Sequence, residues 1–163
     1  MLKRHFVVVL ATAVTAAVLA GCATGPRPVS VADTLAAQAR LSTLSSLVAK
    51  AGLTDTLKAN GPFTVFAPTN DAFAKLPAKT LETLASDPAR LKAVLGYHVL
   101  PVKVMAADVK NGNSKTLNGA NVALSRAGNF VTVEEALVMT PDILATNGVV
   151  HVVDSVLLPP ASR

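Results

Sequence analysis

Few residues of this chain could do chemistry. Beyond the first 21 positions there are two histidines, His98 and His151, and one cysteine, Cys22. Nucleophilic catalysis needs a base beside an activated nucleophile. Ser and Asp are plentiful, so counting alone leaves a Ser–His–Asp set open, but no G-x-S-x-G elbow occurs. H-E-x-x-H is absent, and two histidines without further spaced ligands make a weak zinc set. Neither common Gly-rich phosphate loop is present. Glu134 and Glu135 are adjacent. On a strand such neighbours point to opposite faces and cannot flank one bond. The sequence names no catalytic residue, no metal ligand set and no cofactor, and an enzyme is not expected. One cysteine also excludes an internal disulfide.

Cys22 offers a different chemistry, set by what precedes it. Lys3 and Arg4 give a basic start, and Phe6–Ala20 (FVVVLATAVTAAVLA) is uncharged. The run is shorter than the roughly 20 residues needed to cross a bilayer. It ends in small residues, as a signal-peptide core does. Leu19-Ala20-Gly21-Cys22 resembles the bacterial lipobox. The resemblance implies a diacylglycerol thioether on Cys22, cleavage before it and acylation of the new amino group. Small residues admit the protease, and only a thiol supplies the thioether. Two or more acyl chains hold a protein on a membrane, whereas one binds marginally. Residues 1–21 are therefore expected as a lipoprotein signal peptide. Ala23 stands where an Asp would resemble an inner-membrane retention signal, which favours the outer membrane.

Composition narrows the partners. Hydrophobic residues make up 51% and charged residues 15%, which excludes a charge-rich disordered chain. Aromatic residues make up 4%, with no Trp, which argues against a stacking platform for single strands. Removing Lys3 and Arg4 from the 15 basic residues leaves 13 against 10 acidic ones, a charge of +3 with no basic cluster. Nucleic-acid binding needs a basic stripe, so none is expected.

The positioning elements follow from periodicity. Residues 22–29 read as a lipidated tether: seven residues after Cys22, with Gly25, Pro26 and Pro28, reach at most about 25 Å. A single domain is expected over 30–159, with a tail at 160–163. Leu44, Leu47, Val48 and Ala51 form a helical stripe, with Ser42 or Thr43 as its cap and Gly52 at its end. Leu53–Ala59 is a second short helix. Phe63–Ala67 reads as a buried strand ended by Pro68. Asn70 or Asp71 can cap a helix through Phe73 and Leu76. Leu81 and Leu84 lie on another. Asp87-Pro88 is a start signal for a helix burying Leu91, Val94 and Leu95. Tyr97–Leu100 reads as extended. Asn111-Gly112, Asn118-Gly119 and Asn147-Gly148 suit tight turns. They separate strands at Lys115–Leu117, Val122–Ser125, Phe130–Val133, Ala136–Thr140, Ile143–Ala145 and Val149–Leu158, the last being the longest and central. Pro141 suggests an edge or a break. Helices first and antiparallel strands later argue α+β.

Three stretches carry a family resemblance: GPFTVFAPTNDAF at Gly61–Phe73, LGYHVLP at Leu95–Pro101 and NGVVHVVDSVLLP at Asn147–Pro159. They resemble, in order and spacing, the signature blocks and central Tyr-His element of the fasciclin domain. LSSLVAKAGLTDTL at Leu44–Leu57 also fits. The resemblance implies an α+β unit with an antiparallel β-wedge or sandwich of about seven strands and several short helices packed on it. Within these blocks Thr69 and Asn70 can satisfy backbone groups in the turn and begin the helix, and the resemblance supports structural roles for Asn70, His151 and Asp154. His151 and Asp154, three apart, would lie on opposite faces of a regular strand and so not form a metal pair. In animal members the Tyr-His region is associated with integrin-dependent adhesion. Bacteria lack integrins, so that partner is not carried over.

Tyr97 and His98 remain the candidate interaction residues. The competing reading packs the Tyr97 ring in the core and uses His98 to fix a strand end. The expected function is a membrane-anchored envelope lipoprotein, attached through lipid on Cys22 and acting in adhesion or interaction with a protein or surface partner. An envelope carrier for a small apolar ligand is the alternative, since the same apolar residues could line a pocket.

Overall fold

The computed structural model describes residues 29–160. The expected signal peptide, Cys22, the tether up to residue 28 and residues 161–163 lie outside the described residues. Six short helices come mostly first: α1 (Val31–Ala37), α2 (Ser42–Lys50), α3 (Thr54–Lys58), α4 (Asn70–Ala74), α5 (Ala78–Ser86) and α6 (Pro88–Tyr97). Strand β1 (Phe63–Pro68) lies among them. β2 (Val99–Leu100), β3 (Gly112–Lys115), β4 (Asn121–Ala127), β5 (Phe130–Val133), β6 (Ala136–Ala145) and β7 (Gly148–Val153) follow. All seven join one sheet in the order β2-β1-β7-β6-β5-β4-β3.

The α+β class and the seven strands are as expected. One pairing differs: β1 and β7 run parallel, from Phe63↔Gly148 to Pro68↔Val153. Parallel partners need a long crossover, here the whole intervening chain, and no local pattern reveals it. The longest strand is β6, not β7, which stops at Val153. β6 absorbs both of its expected halves because register shifts between Val138 and Thr140, and between Thr140 and Ile143, carry it past Pro141. Pro141 thus marks a break in the ladder, as its missing N–H requires, and bulges of this kind bend a strand.

The bend makes two cores. Val65, Ala67, Val150 and Val152 face the helices, packing with Leu35, Leu44, Leu57, Leu91 and Leu95. Phe66 and Val153, of opposite parity, face Val122, Leu124, Val131 and Val133 of β4 and β5. The sheet is folded over on itself, and every residue of β7 is buried.

Several ends differ from expectation for local reasons. α1 is absent from the periodic reading because it is short; its start is capped by Ser30, whose Oγ accepts from the Asp33 N–H. Glu134 and Glu135 are the turn between β5 and β6 rather than strand residues, with Glu134 at φ 54°. Asn111-Gly112 opens β3 instead of turning a hairpin, and Gly128-Asn129 turns β4 into β5. Gly52, at φ 67°, ends α2 as expected, with the Leu53 N–H donating to the Val48 carbonyl.

The close approach of β1 and β7 depends on glycine. A Cβ on Gly148 would stand 2.1 Å from the Phe63 carbonyl oxygen. We expect Gly148→Ala to cost about 3 kcal/mol or more, seen as a fall in Tm of roughly 10 °C. Gly128→Ala meets no neighbouring atom and should cost only about 1 kcal/mol, for its positive φ.

Candidate functional site

The Tyr-His element sits at a helix end. Asp87 caps α6, its Oδ1 accepting from the N–H groups of Ala89 (3.0 Å) and Arg90 (3.1 Å), and Pro88 takes the first position. The helix runs through Tyr97, and His98 is its C-cap with helical backbone. Tyr97–Leu100 is therefore not extended as expected; only Val99–Leu100 is, because the apolar stripe of α6 continues through Tyr97.

Both side chains point inward. Tyr97 and His98 are each 2% exposed. As candidate interaction residues both have little exposed surface, though Tyr97 lines a cavity with Glu134 and Glu135. The Tyr97 hydroxyl lies 2.9 Å from the Asn121 carbonyl and 2.9 Å from Glu134 Oε1, which share its proton. Burial, and then the Glu134 carboxylate, push its pKa up to about 12. Glu134 Oε1 also accepts from the Ala123 N–H (2.8 Å), so the turn carboxylate ties α6 to β4.

His98 is a latch. Its Nε2 accepts from the Leu157 N–H at 3.0 Å, so its proton lies on Nδ1 and is donated to the Val94 carbonyl at 2.8 Å. The ring joins α6 to the segment after β7. Burial pulls its pKa down to about 4. His151 is the mirror case. Its Nδ1 accepts from the Asp142 N–H (3.2 Å) and its Nε2 donates to the Val104 carbonyl (2.8 Å). Its ring stacks on Phe66, with centroids 5.7 Å apart. Burial lowers its pKa as well, against the raising influences of the Val104 contact and Asp142.

The remaining residues also staple backbone. Thr69, not Asn70 or Asp71, caps α4: its Oγ1 accepts from the Ala72 N–H at 3.3 Å. Asn70 instead reaches α2. Its Oδ1 accepts from the Thr43 N–H (3.0 Å), and its Nδ2 donates to the Ala39 carbonyl and Ser42 Oγ, both at 3.1 Å. Ser42 and Thr43 therefore do not cap α2; a residue 27 positions away does. Asp154 Oδ1 accepts from the Leu137 N–H at 2.9 Å, and Lys75 Nζ donates to the Asp154 carbonyl at 3.1 Å. The set is thus spread through the domain as separate staples and is not gathered into one cleft.

The sequence reading missed two such residues. Asn147 was read only as a turn, yet its Nδ2 donates to the carbonyls of Leu57 and Ala59 (both 2.7 Å) and its Oδ1 accepts from the Val31 N–H (2.8 Å). Thr64 Oγ1 donates to the Val102 carbonyl (2.6 Å) and accepts from the Val104 N–H (2.8 Å). The Asn147-Gly148 pair signals only a turn, and nothing local signals the role of Thr64. Among the described residues no three His, Cys, Asp or Glu side chains gather as metal ligands would, and no buried side-chain N or O lacks a partner.

The fold and these staples define an α+β domain whose most distinctive polar residues act on its own backbone. The family profile described as "Fasciclin domain" matches residues 39–159, and the chain belongs to the fasciclin-domain family. It is 44% identical over 133 residues to Protein sll1483 of Synechocystis, covering 80% of this chain and 74% of that protein. It is 43% identical over 109 residues to Immunogenic protein MPB70 of Mycobacterium bovis, covering 67% of this chain and 55% of that one. A solved FAS1 domain pair from the insect cell adhesion molecule Fasciclin I shares the fold, with TM-score 0.63 and 19% identity over 80% of this chain and 51% of that chain.

Two outcomes are expected. Asn70→Ala leaves the Thr43 amide and Ala39 carbonyl without their partner and should cost about 2 kcal/mol in denaturant unfolding, against less than about 0.5 for Ser42→Ala. Acid should weaken the domain through His98. Its folded pKa lies below the ordinary 6.5, so between pH 6.5 and about 4 the unfolded chain takes up a proton that the folded chain refuses. The full stability holds above 6.5 and falls as the pH drops to about 4, by about 3 kcal/mol. The difference in unfolding free energy between wild type and His98→Gln, followed across that window, isolates this contribution.

Proposed function

We propose that the chain is an envelope lipoprotein, anchored through lipid on Cys22, whose fasciclin domain is a non-enzymatic adhesion or protein-interaction module. The observation that carries this reading is the division of labour among side chains. Among the described residues Tyr97, His98 and His151 are spent on internal hydrogen bonds, whereas large apolar side chains stand on the outer face of the folded sheet. In β5, Val131 and Val133 are buried while Phe130 is 67% exposed. In β6, Ala136 and Val138 are buried while Met139 is 60% exposed. Exposed aromatic and Met side chains of this kind suit protein contact.

The domain limits 30–159 are supported at the N-terminal side. The Val29 carbonyl accepts from the Thr146 N–H at 3.0 Å, and the Val31 N–H reaches Asn147. A tether from Cys22 would thus meet the domain beside the β6–β7 turn. The source of the related FAS1 pair, an insect cell adhesion molecule, agrees in kind with an interaction role.

The test places a photoreactive side chain at position 130 or 139 in intact cells. A discrete protein adduct is expected at both, and none from position 113 on the polar edge strand β3. Radiolabelled palmitate should enter the wild type and not Cys22→Ser. Absence of adducts at both apolar positions would sink the interaction reading. Label retained in Cys22→Ser would sink the anchoring.

A further inference from the structure

We propose that the groove between α5, α6 and the segment after β7 binds a single-chain amphiphile with an anionic head. This goes beyond the interaction reading and does not depend on it. The groove has a volume of about 660 Å³, within the range of sites that take small organic ligands. Its floor is apolar: Leu84 from α5 and Val94 from α6, both buried, with Leu158 and Pro159 forming the opposite wall.

The wall is anchored at its base. The Leu157 N–H is held by the buried His98 Nε2 at 3.0 Å, so the residues that follow are set against α6 by a bond inside the core. Leu158 is nevertheless 49% exposed, leaving apolar surface open to an occupant.

Charge selects the occupant. The charged residues lining the groove are Lys79 and Arg90, both cations. Among the described residues neither makes a salt bridge; the two that occur are Lys58–Asp33 and Lys75–Asp154. The carboxylates of α5 and of the α6 cap, Glu82 and Asp87, do not line it, and Asp87 is committed to capping. On the other side of the same segment, a separate cavity of about 520 Å³ carries Glu134 and Glu135. Leu158 and Pro160 border both. Glu134 and Glu135 thus belong to the other cavity, while Asp87, beside Arg90 at the start of α6, is held in its cap. An apolar trough with two cations that make no salt bridge among the described residues fits an alkyl chain ending in a carboxylate or phosphate.

The purified full chain is to be illuminated with a laurate carrying a diazirine in its chain, and the adducts mapped by mass spectrometry. Adducts are expected on α5, α6 or Leu158–Pro160. Unlabelled laurate should compete, and methyl laurate and dodecylamine should compete about tenfold less well. The double variant Lys79→Gln/Arg90→Gln, both exposed positions, should lower labelling about tenfold with Tm unchanged. Labelling elsewhere, or equal competition by dodecylamine, overturns the proposal. So does labelling that appears only after residues 161–163 are deleted, since that outcome makes the chain's own tail the occupant.

Discussion

A strand covered on both faces by apolar layers has no solvent in which to leave a polar group unpaired. β7 is such a strand, and its parallel pairing with β1 organises everything around it. Val150 and Val152 project into the helical core, while His151 and Val153 project into the core that the folded sheet encloses. The pairing brings the backbones so close at its start that Gly61 and Gly148 leave no room for a Cβ. Asn147, one residue before β7, then bonds the end of α3 and the start of α1 to that point. The first helices, the β6–β7 turn and the β1–β7 pair are thereby fixed together.

The histidines follow from the same constraint. A charged imidazole inside either core would bear an uncompensated desolvation cost. Each ring is instead neutral, with one nitrogen donating to a carbonyl and the other accepting from an amide. The tautomers are opposite because the partners are. At His98 the amide faces Nε2; at His151 it faces Nδ1. A neutral His can satisfy one donor and one acceptor belonging to two different segments, which neither Lys nor Asp can do. Here that property holds chain segments that have no ladder of their own: Leu157 after β7, and Val104 in the long connection between β2 and β3.

Local chemistry made some of this legible and topology hid the rest. Asp87-Pro88 announces α6 because both signals act within one turn. Phe63–Ala67 announces β1 because a buried strand is apolar without interruption. Pro141 signals a break because a missing donor is a property of one residue. The capping of α2 by Asn70, the parallel partner of β1 and the reach of Asn147 all join residues far apart in the chain. No spacing encodes them. Tyr97 shows the intermediate case: β-favouring residues around it suggest a strand, but the helix begun at Pro88 carries its buried stripe through Leu95 and Tyr97.

The same constraint limits where a partner can make contact. A residue that can do chemistry and also breaks an apolar pattern invites a functional reading, and Tyr97, His98 and His151 all do so. Yet a buried polar residue with every bond made has no valence left for a partner. What a partner can meet is the remainder: side chains turned outward by strand alternation, and charges that make no salt bridge among the described residues. Phe130 and Met139 are of the first kind, Lys79 and Arg90 of the second. The segment after β7 connects these considerations. Held to α6 by His98, it separates a cavity bearing Glu134 and Glu135 from a groove bearing Lys79 and Arg90. His98 can thus shape the groove without lining it, because it holds Leu157 at the base of the dividing wall, while Tyr97 lines the acidic cavity and bonds Glu134.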